Sequence, residues 1–202
     1  MAAERVPYAV AARELLHNTL LDAARELLRE RPWAEITMSE VAAAAGVSRQ
    51  TLYNEFGSRQ EFAQAFVLRD GDRFLLAVED AVDANIHDPA AALAAAFDVF
   101  LTAASADPLV RAVVSGDGTD DLLRLVTTEG TPLLERTSER LAEIIVSRWP
   151  QAPESESALI GECLVRLAIS YAVLPESPAG MTAESIVGLL GPYIQSLLAP
   201  AS

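Results

Sequence analysis

Apolar residues early in the chain recur at Leu16, Leu20, Ala23, Ala24, Leu27 and Leu28. This spacing of three and four marks one buried face of a helix over residues 10–30, which Pro32 stops. Thr37-Met-Ser-Glu40 has the T-x-x-E form of a capping box and opens a short helix ended by Gly46. Ser48 can cap the next helix, Arg49 to Phe56, which Gly57 ends. Ser58-Arg-Gln-Glu61 repeats the capping pattern ahead of a long helix with the apolar register Phe62, Phe66, Phe74, Val78, Val82. Gly71 interrupts that helix, as a bending point or as room for a neighbour to pack closely. After a break at His87-Asp88-Pro89, helical segments are predicted at 90–105, 108–128, 132–149, 154–174 and 182–198. The second of these is broken at Gly116-Asp117-Gly118, and proline-rich stretches at 150–153 and 175–180 separate the later ones. No stretch alternates β-branched residues as a strand would. The expected fold class is all-α.

Composition narrows the range of functions. The chain has 202 residues, 51% of them hydrophobic, so a sizeable core is expected. All 15 basic residues are Arg, against 29 acids, giving a net charge of −14. Bulk electrostatic attraction to nucleic acid is therefore excluded. The charge is uneven: residues 1–64 hold 7 Arg and 9 acids, net −2, and residues 65–202 carry net −12. One cysteine excludes a disulfide framework. The N-terminus is charged where a signal peptide would be apolar. The longest uncharged stretch, from Ser185 onward, is broken by Gly188, Gly191, Pro192 and Gln195, so no membrane span is expected. A cytoplasmic location follows as the expectation.

The segment 37–57 carries the most information. It reads as a short helix, a turn at Gly46-Val47-Ser48 and a second short helix. Val47, Leu52 and Phe56 can face inward, which leaves Arg49, Gln50, Tyr53 and Asn54 outward. Those donors and acceptors have the reach to read a DNA major groove. Ser48 and Thr51, at the helix N-terminus, suit phosphate oxygens. A plain helical hairpin would not explain this polar cluster behind a glycine turn.

The turn Ala45-Gly-Val-Ser48, the Thr51-Leu-Tyr53 core and the Phe56-Gly-Ser-Arg-Gln-Glu61 run resemble the DNA-binding signature of the TetR/AcrR transcriptional regulators, over residues 12–66. The resemblance implies backbone contacts from Thr37, Ser48, Thr51 and Tyr53. It implies base contacts from Arg49, Gln50 and Asn54, and a phosphate anchor at Arg59. Glu55 departs from the pattern, standing where many members have His, and is expected to face away from DNA or to pair with an Arg. The implied organisation is a DNA-binding domain over 1–60 and a ligand-binding and dimerisation domain over 61–202.

In the family the last two helices form the dimer interface, which would be Leu159, Ile160 and Leu164 with Ile186, Leu190, Ile194 and Leu197. The family also places a ligand cavity among the middle helices. Its expected lining is Phe74, Phe97, Phe100, Leu101, Val110, Val113, Leu123, Val126, Leu141, Ile145, Trp149, Leu167 and Tyr171. Few charges interrupt this set, so an apolar effector is the natural occupant.

No enzyme chemistry is expected. His17 and His87 are far from Cys163 in sequence, and Cys163, flanked by apolar residues, reads as a buried thiol. Ser115-Gly-Asp-Gly118 lacks a Walker lysine, and no Gly-x-Ser-x-Gly is present. No cofactor or metal is implied. The expected function is a homodimeric, effector-responsive repressor acting on a palindromic operator. The alternative is a helical protein-interaction module with lost DNA binding, motivated by the net charge and Glu55.

Overall fold

The computed structural model describes residues 7–114, 120–173 and 182–198. In order these form α1 (Tyr8–Glu30), a 3-10 turn (Trp33–Glu35), α2 (Met38–Ala44), α3 (Arg49–Phe56), α4 (Arg59–Asp83) and α5 (Pro89–Ala106). There follow α6 (Pro108–Val114), α7 (Asp120–Val126), α8 (Thr131–Arg148), α9 (Glu154–Val173) and α10 (Ala183–Leu198). The described residues include no strand, and the all-α expectation holds. The predicted breaks at Gly116-Asp117-Gly118 and 175–180 lie outside the described residues, as does the charged start at 1–6.

Local chemistry sets the boundaries. Thr37 forms a reciprocal capping box with Glu40, and the Ser48 and Ser58 hydroxyls accept from the Thr51 and Glu61 amides. Gly46 and Gly57 take φ of 72° and 79°, conformations that strain other residues and turn the chain at each end of α3. The Asp88 carboxylate accepts from the Ala90 and Ala91 amides to start α5, where Pro89 lacks the N–H that a helix start leaves unused.

Two hydrophobic clusters organise the molecule. The first contains Leu20 and Leu21 of α1, Trp33, Val41 of α2, Leu52 and Phe56 of α3, and Phe62 and Phe66 of α4. It continues into Leu109 and Val113 of α6 and Leu122 and Leu125 of α7, so the N-terminal head sits on these two helices. The second cluster joins Val78 and Val82 of α4 to Phe97, Ile144, Ile160, Ile186 and Ile194. Helix α4 thus begins in one cluster and ends in the other. Ion pairs tie its outer side to α8: Arg136–Asp72 at 2.7 Å, Arg140–Glu79 at 2.8 Å and Arg148–Asp83 at 2.6 Å. Each such surface pair contributes little alone.

Helix α4 runs unbroken through Gly71. A Cβ there would lie 3.1 Å from Leu133 Cδ1 of α8, which favours close packing over bending. Cys163 corrects an expectation, because it is exposed. The inward positions of α9 are Ser157, Ile160 and Val165, and helical periodicity turns Cys163 onto the opposite face. Apolar neighbours in sequence do not report which face a residue occupies.

Candidate nucleic-acid interface and ligand cavity

Buried Leu52 and Phe56 seat α3 against α2 and α4, and Val47 is half-buried in the turn. This orientation exposes Ser48, Arg49, Gln50 and Asn54, with Thr51 and Tyr53 half-buried. The side chains are preorganised in pairs. Gln50 Nε2 donates to Asn54 Oδ1 at 2.8 Å, and the Ser48 and Thr51 hydroxyls share a hydrogen bond of 2.8 Å. The Arg49 guanidinium lies 5.2 Å from the Tyr53 ring centre, which braces an otherwise free side chain.

Thr37 is exposed at the start of α2, and its hydroxyl is already engaged within the capping box. The Thr37 backbone N–H and hydroxyl, together with Arg31, hold the Glu40 carboxyl down at about 2. A depressed acid stabilises the fold above the usual glutamate range, and its contribution is lost as pH falls through that lowered value. Thr37→Ala removes the hydroxyl and keeps the backbone N–H. The Glu40 titration followed by NMR then moves upward, toward that of an ordinary glutamate.

Glu55 pairs with Arg13 Nε at 3.0 Å and with His17 Nδ1 at 3.1 Å. The acid in the recognition helix is thereby held against α1, and His17, its ring 4.5 Å from that of Phe56 and tilted to it, is a satisfied packing residue. Arg59 departs from its expected role. Its Nη1 donates to the Ile36 carbonyl at 2.6 Å, its Nη2 donates to the Trp33 carbonyl at 2.9 Å, and its guanidinium lies 4.7 Å over the Trp33 ring. It clamps the connection between α1 and α2, adding a second donor to the Trp33 carbonyl, which already accepts from the Ile36 N–H within the 3-10 turn.

A cavity of about 1570 Å³ lies between α1, α4, α5, α6, α8 and α9. Seven of the expected residues line it: Phe74, Phe97, Phe100, Val110, Val113, Val126 and Leu141. Leu101, Leu123, Ile145, Trp149, Leu167 and Tyr171 do not. Ile145 and Trp149 are buried in the second cluster and Leu101, Leu167 and Tyr171 pack on it, while Leu123 packs on the head's cluster. Their apolar character serves packing between helices rather than the cavity wall. Leu164, assigned by sequence to a dimer interface, lines the cavity, along with Leu133, Val165 and Ile169.

Sequence reasoning missed a charged group at this cavity. Arg25 of α1 pairs with Asp70 of α4 and, at 2.5 Å, with Asp107 between α5 and α6. Asp107 also accepts from the Leu109 amide at 2.8 Å. Burial pushes the Asp70 carboxyl upward against the pull of Arg25. The available signal was the register Phe62, Phe66, Asp70, Phe74, Val78, with an acid at the centre of an apolar stripe.

The expected dimer residues also divide. Ile160, Ile186 and Ile194 are buried within the chain's own core, Ile186 being 2% exposed. Leu190 and Leu197 are half-buried against the same cluster. The large apolar side chains that α9 and α10 leave open are Leu159 at 57%, Leu189 at 76% and Tyr193 at 48%. Both helices carry enough apolar residues for two faces, and the apolar pattern alone does not say which face the monomer uses.

A tightly turned helix pair with a polar outer face, seated on a helical body, is the architecture of a helix-turn-helix DNA-binding protein. Residues 20–66 match the family described as bacterial regulatory proteins, tetR family, and residues 88–192 match the bacterial tetracyclin repressor C-terminal domain. The chain is 40% identical to the HTH-type transcriptional regulator AlkX of Mycobacterium tuberculosis, covering 95% of this chain and 91% of that protein. It also superposes on the crystal structure of the TetR family repressor AlkX from a Dietzia strain, with a TM-score of 0.79 and 38% identity. That match covers 89% of this chain and 98% of the Dietzia chain. A TetR-family regulator from Pectobacterium atrosepticum, 20% identical over 95% of this chain and 98% of its own, shares the fold with a TM-score of 0.64. The chain belongs to the TetR family and is a DNA-binding transcriptional regulator. No helix among the described residues is long and apolar enough to cross a membrane.

Proposed function

We propose that the protein is a cytoplasmic repressor that binds a palindromic operator as a homodimer and releases it when a small apolar effector fills the cavity. The supporting observation is the position of the cavity. Phe74 and Val78 of α4 line it, and the same helix begins at Arg59, directly after α3. A ligand that displaces α4 would shift α3. The Arg25–Asp70–Asp107 group joins α1, α4 and the α5–α6 junction, giving a second connection between cavity and head. The Dietzia relative is described as a repressor implicated in biodegradation of n-alkanes, which accords with an apolar effector here. Residues 1–60 would form the DNA-binding domain and 61–202 the effector-binding and dimerisation domain. The interaction-module alternative loses one of its two grounds, since Glu55 pairs with Arg13 and is held against α1.

Because the head is net acidic, specific binding would rest on a few well-placed contacts in two half-sites. Gln50→Ala or Arg49→Ala should change base preference at single operator positions by about 1–3 kcal/mol for each bidentate hydrogen-bond pair removed. Tyr53→Ala should weaken binding to all sequences alike. Equal affinity and equal base preference in wild type and the three variants, measured by anisotropy, would remove α3 as the reading helix.

A further inference from the structure

We propose that Asp70 is the polar recognition point of the cavity and takes the terminal hydroxyl of an otherwise apolar ligand as a hydrogen-bond donor. This rests on the effector-binding reading above and specifies its ligand.

The cavity wall is largely hydrocarbon, supplied by Val67, Phe74, Leu133 and Val165 among others, with Arg29, Arg73 and Asp98 as further charged groups on its lining. Asp70 lines the same cavity with its side chain only 5% exposed. One carboxylate oxygen, Oδ2, accepts from Arg25 Nη1. The other, Oδ1, is buried and meets no hydrogen-bond donor among the described residues. A buried acceptor without a donor is costly, and the larger part of that cost is recovered by any group that supplies one. Among the described residues no group serves this oxygen, and a ligand that brings its own donor gains what a bare hydrocarbon cannot.

The charges select the kind of donor. Arg25 already compensates the Asp70 charge, so a hydrogen bond is wanted rather than a second cation. Arg25 is already committed to two acids, its Nη1 to Asp70 and its Nη2 to Asp107. The charges that act on one another here, Asp70 and Asp107 with Arg25 and Arg69, balance, so an ionised carboxylate would lose its hydration without an uncompensated cation to meet it. A neutral hydroxyl on an alkyl chain meets both demands.

Calorimetric titration of the full-length protein with 1-decanol, decyl methyl ether and decanoate tests this. The ether keeps the oxygen and the chain but cannot donate. The alcohol should bind at least about tenfold more tightly than either the ether or the carboxylate, as expected of a hydrogen bond to a charged acceptor. In Asp70→Leu the ether should still bind, and the preference for alcohol over ether should fall to about twofold or less. Asp70→Leu leaves Arg25 with one partner fewer, so Asp70→Asn is run beside it. It presents an amide in place of the carboxylate and should lose most of the same preference. Equal binding of alcohol and ether by the wild type, a preference that survives both substitutions, or tightest binding of decanoate would overturn the proposal and leave the effector reading intact. Binding of none of the three would overturn both.

Discussion

Leu189→Glu should turn the protein into a monomer and lower its affinity for a two-half-site operator by about 10²–10⁴-fold, the gain that linking two binding sites usually supplies. Leu189 is the most exposed large apolar residue of α10, and Tyr193 and Leu159 are also open on α10 and α9. Within the chain α9 packs on α8 and α10 on α5; apolar side chains left open on such helices mark an interaction face, and a two-fold repeat of that face gives a closed, isologous dimer. A carboxylate placed there would be buried without a partner on association. The monomer itself should fold normally, since position 189 faces outward. Ile186→Glu separates the two faces: Ile186 is buried within the chain, so this substitution should unfold the body instead. Sedimentation velocity and thermal melting distinguish the outcomes. A Leu189→Glu protein that still sediments as a dimer would move the interface elsewhere.

Arg59→Ala should destabilise the head by about 3 kcal/mol, because two charge-assisted hydrogen bonds and one cation–π interaction disappear together. The two carbonyls it serves, of Trp33 in the 3-10 turn and Ile36 just after it, lie between Pro32 and the start of α2. Arg59→Lys should recover only part of the loss, because an ammonium is a point donor and cannot span both oxygens in the plane of a guanidinium. The melting temperature read by circular dichroism checks this. A phosphate anchor would behave differently: Arg59→Ala would leave the melting temperature unchanged and reduce the salt dependence of DNA binding by about one ion.

Helix boundaries were legible because caps are local. Thr37, Ser48, Ser58, Asp88 and the glycines at 46 and 57 act within four residues of themselves, and each ends or begins a helix where the pattern indicates. The 3-10 turn Trp33–Glu35 escaped notice, since three residues behind a proline carry no periodicity. Tertiary choices were legible only in part. Phe74, Phe97 and Phe100 line the cavity as expected, yet Trp149 and Ile145, equally apolar, pack into solid core. Periodicity reports that a face is buried and not whether helix or void covers it. The same limit placed Ile186 and Ile194 at a dimer face when they belong to the monomer. Arg59 shows the converse: a basic residue at a helix start has the same sequence signature whether it meets phosphate or the chain's own carbonyls. Asp70 and Asp107, respectively 45 and 82 positions from Arg25, meet it only in the fold.

Selection of operators from a random duplex pool with the purified full-length protein, at a stated salt concentration, tests the central claim most directly. Enrichment of an inverted repeat is expected, with half-sites a whole number of helical turns apart and base preferences that change when Gln50 is replaced by Ala. Recovery of no common sequence, or of an unrepeated site indifferent to Gln50, would contradict a dimeric repressor reading DNA through α3.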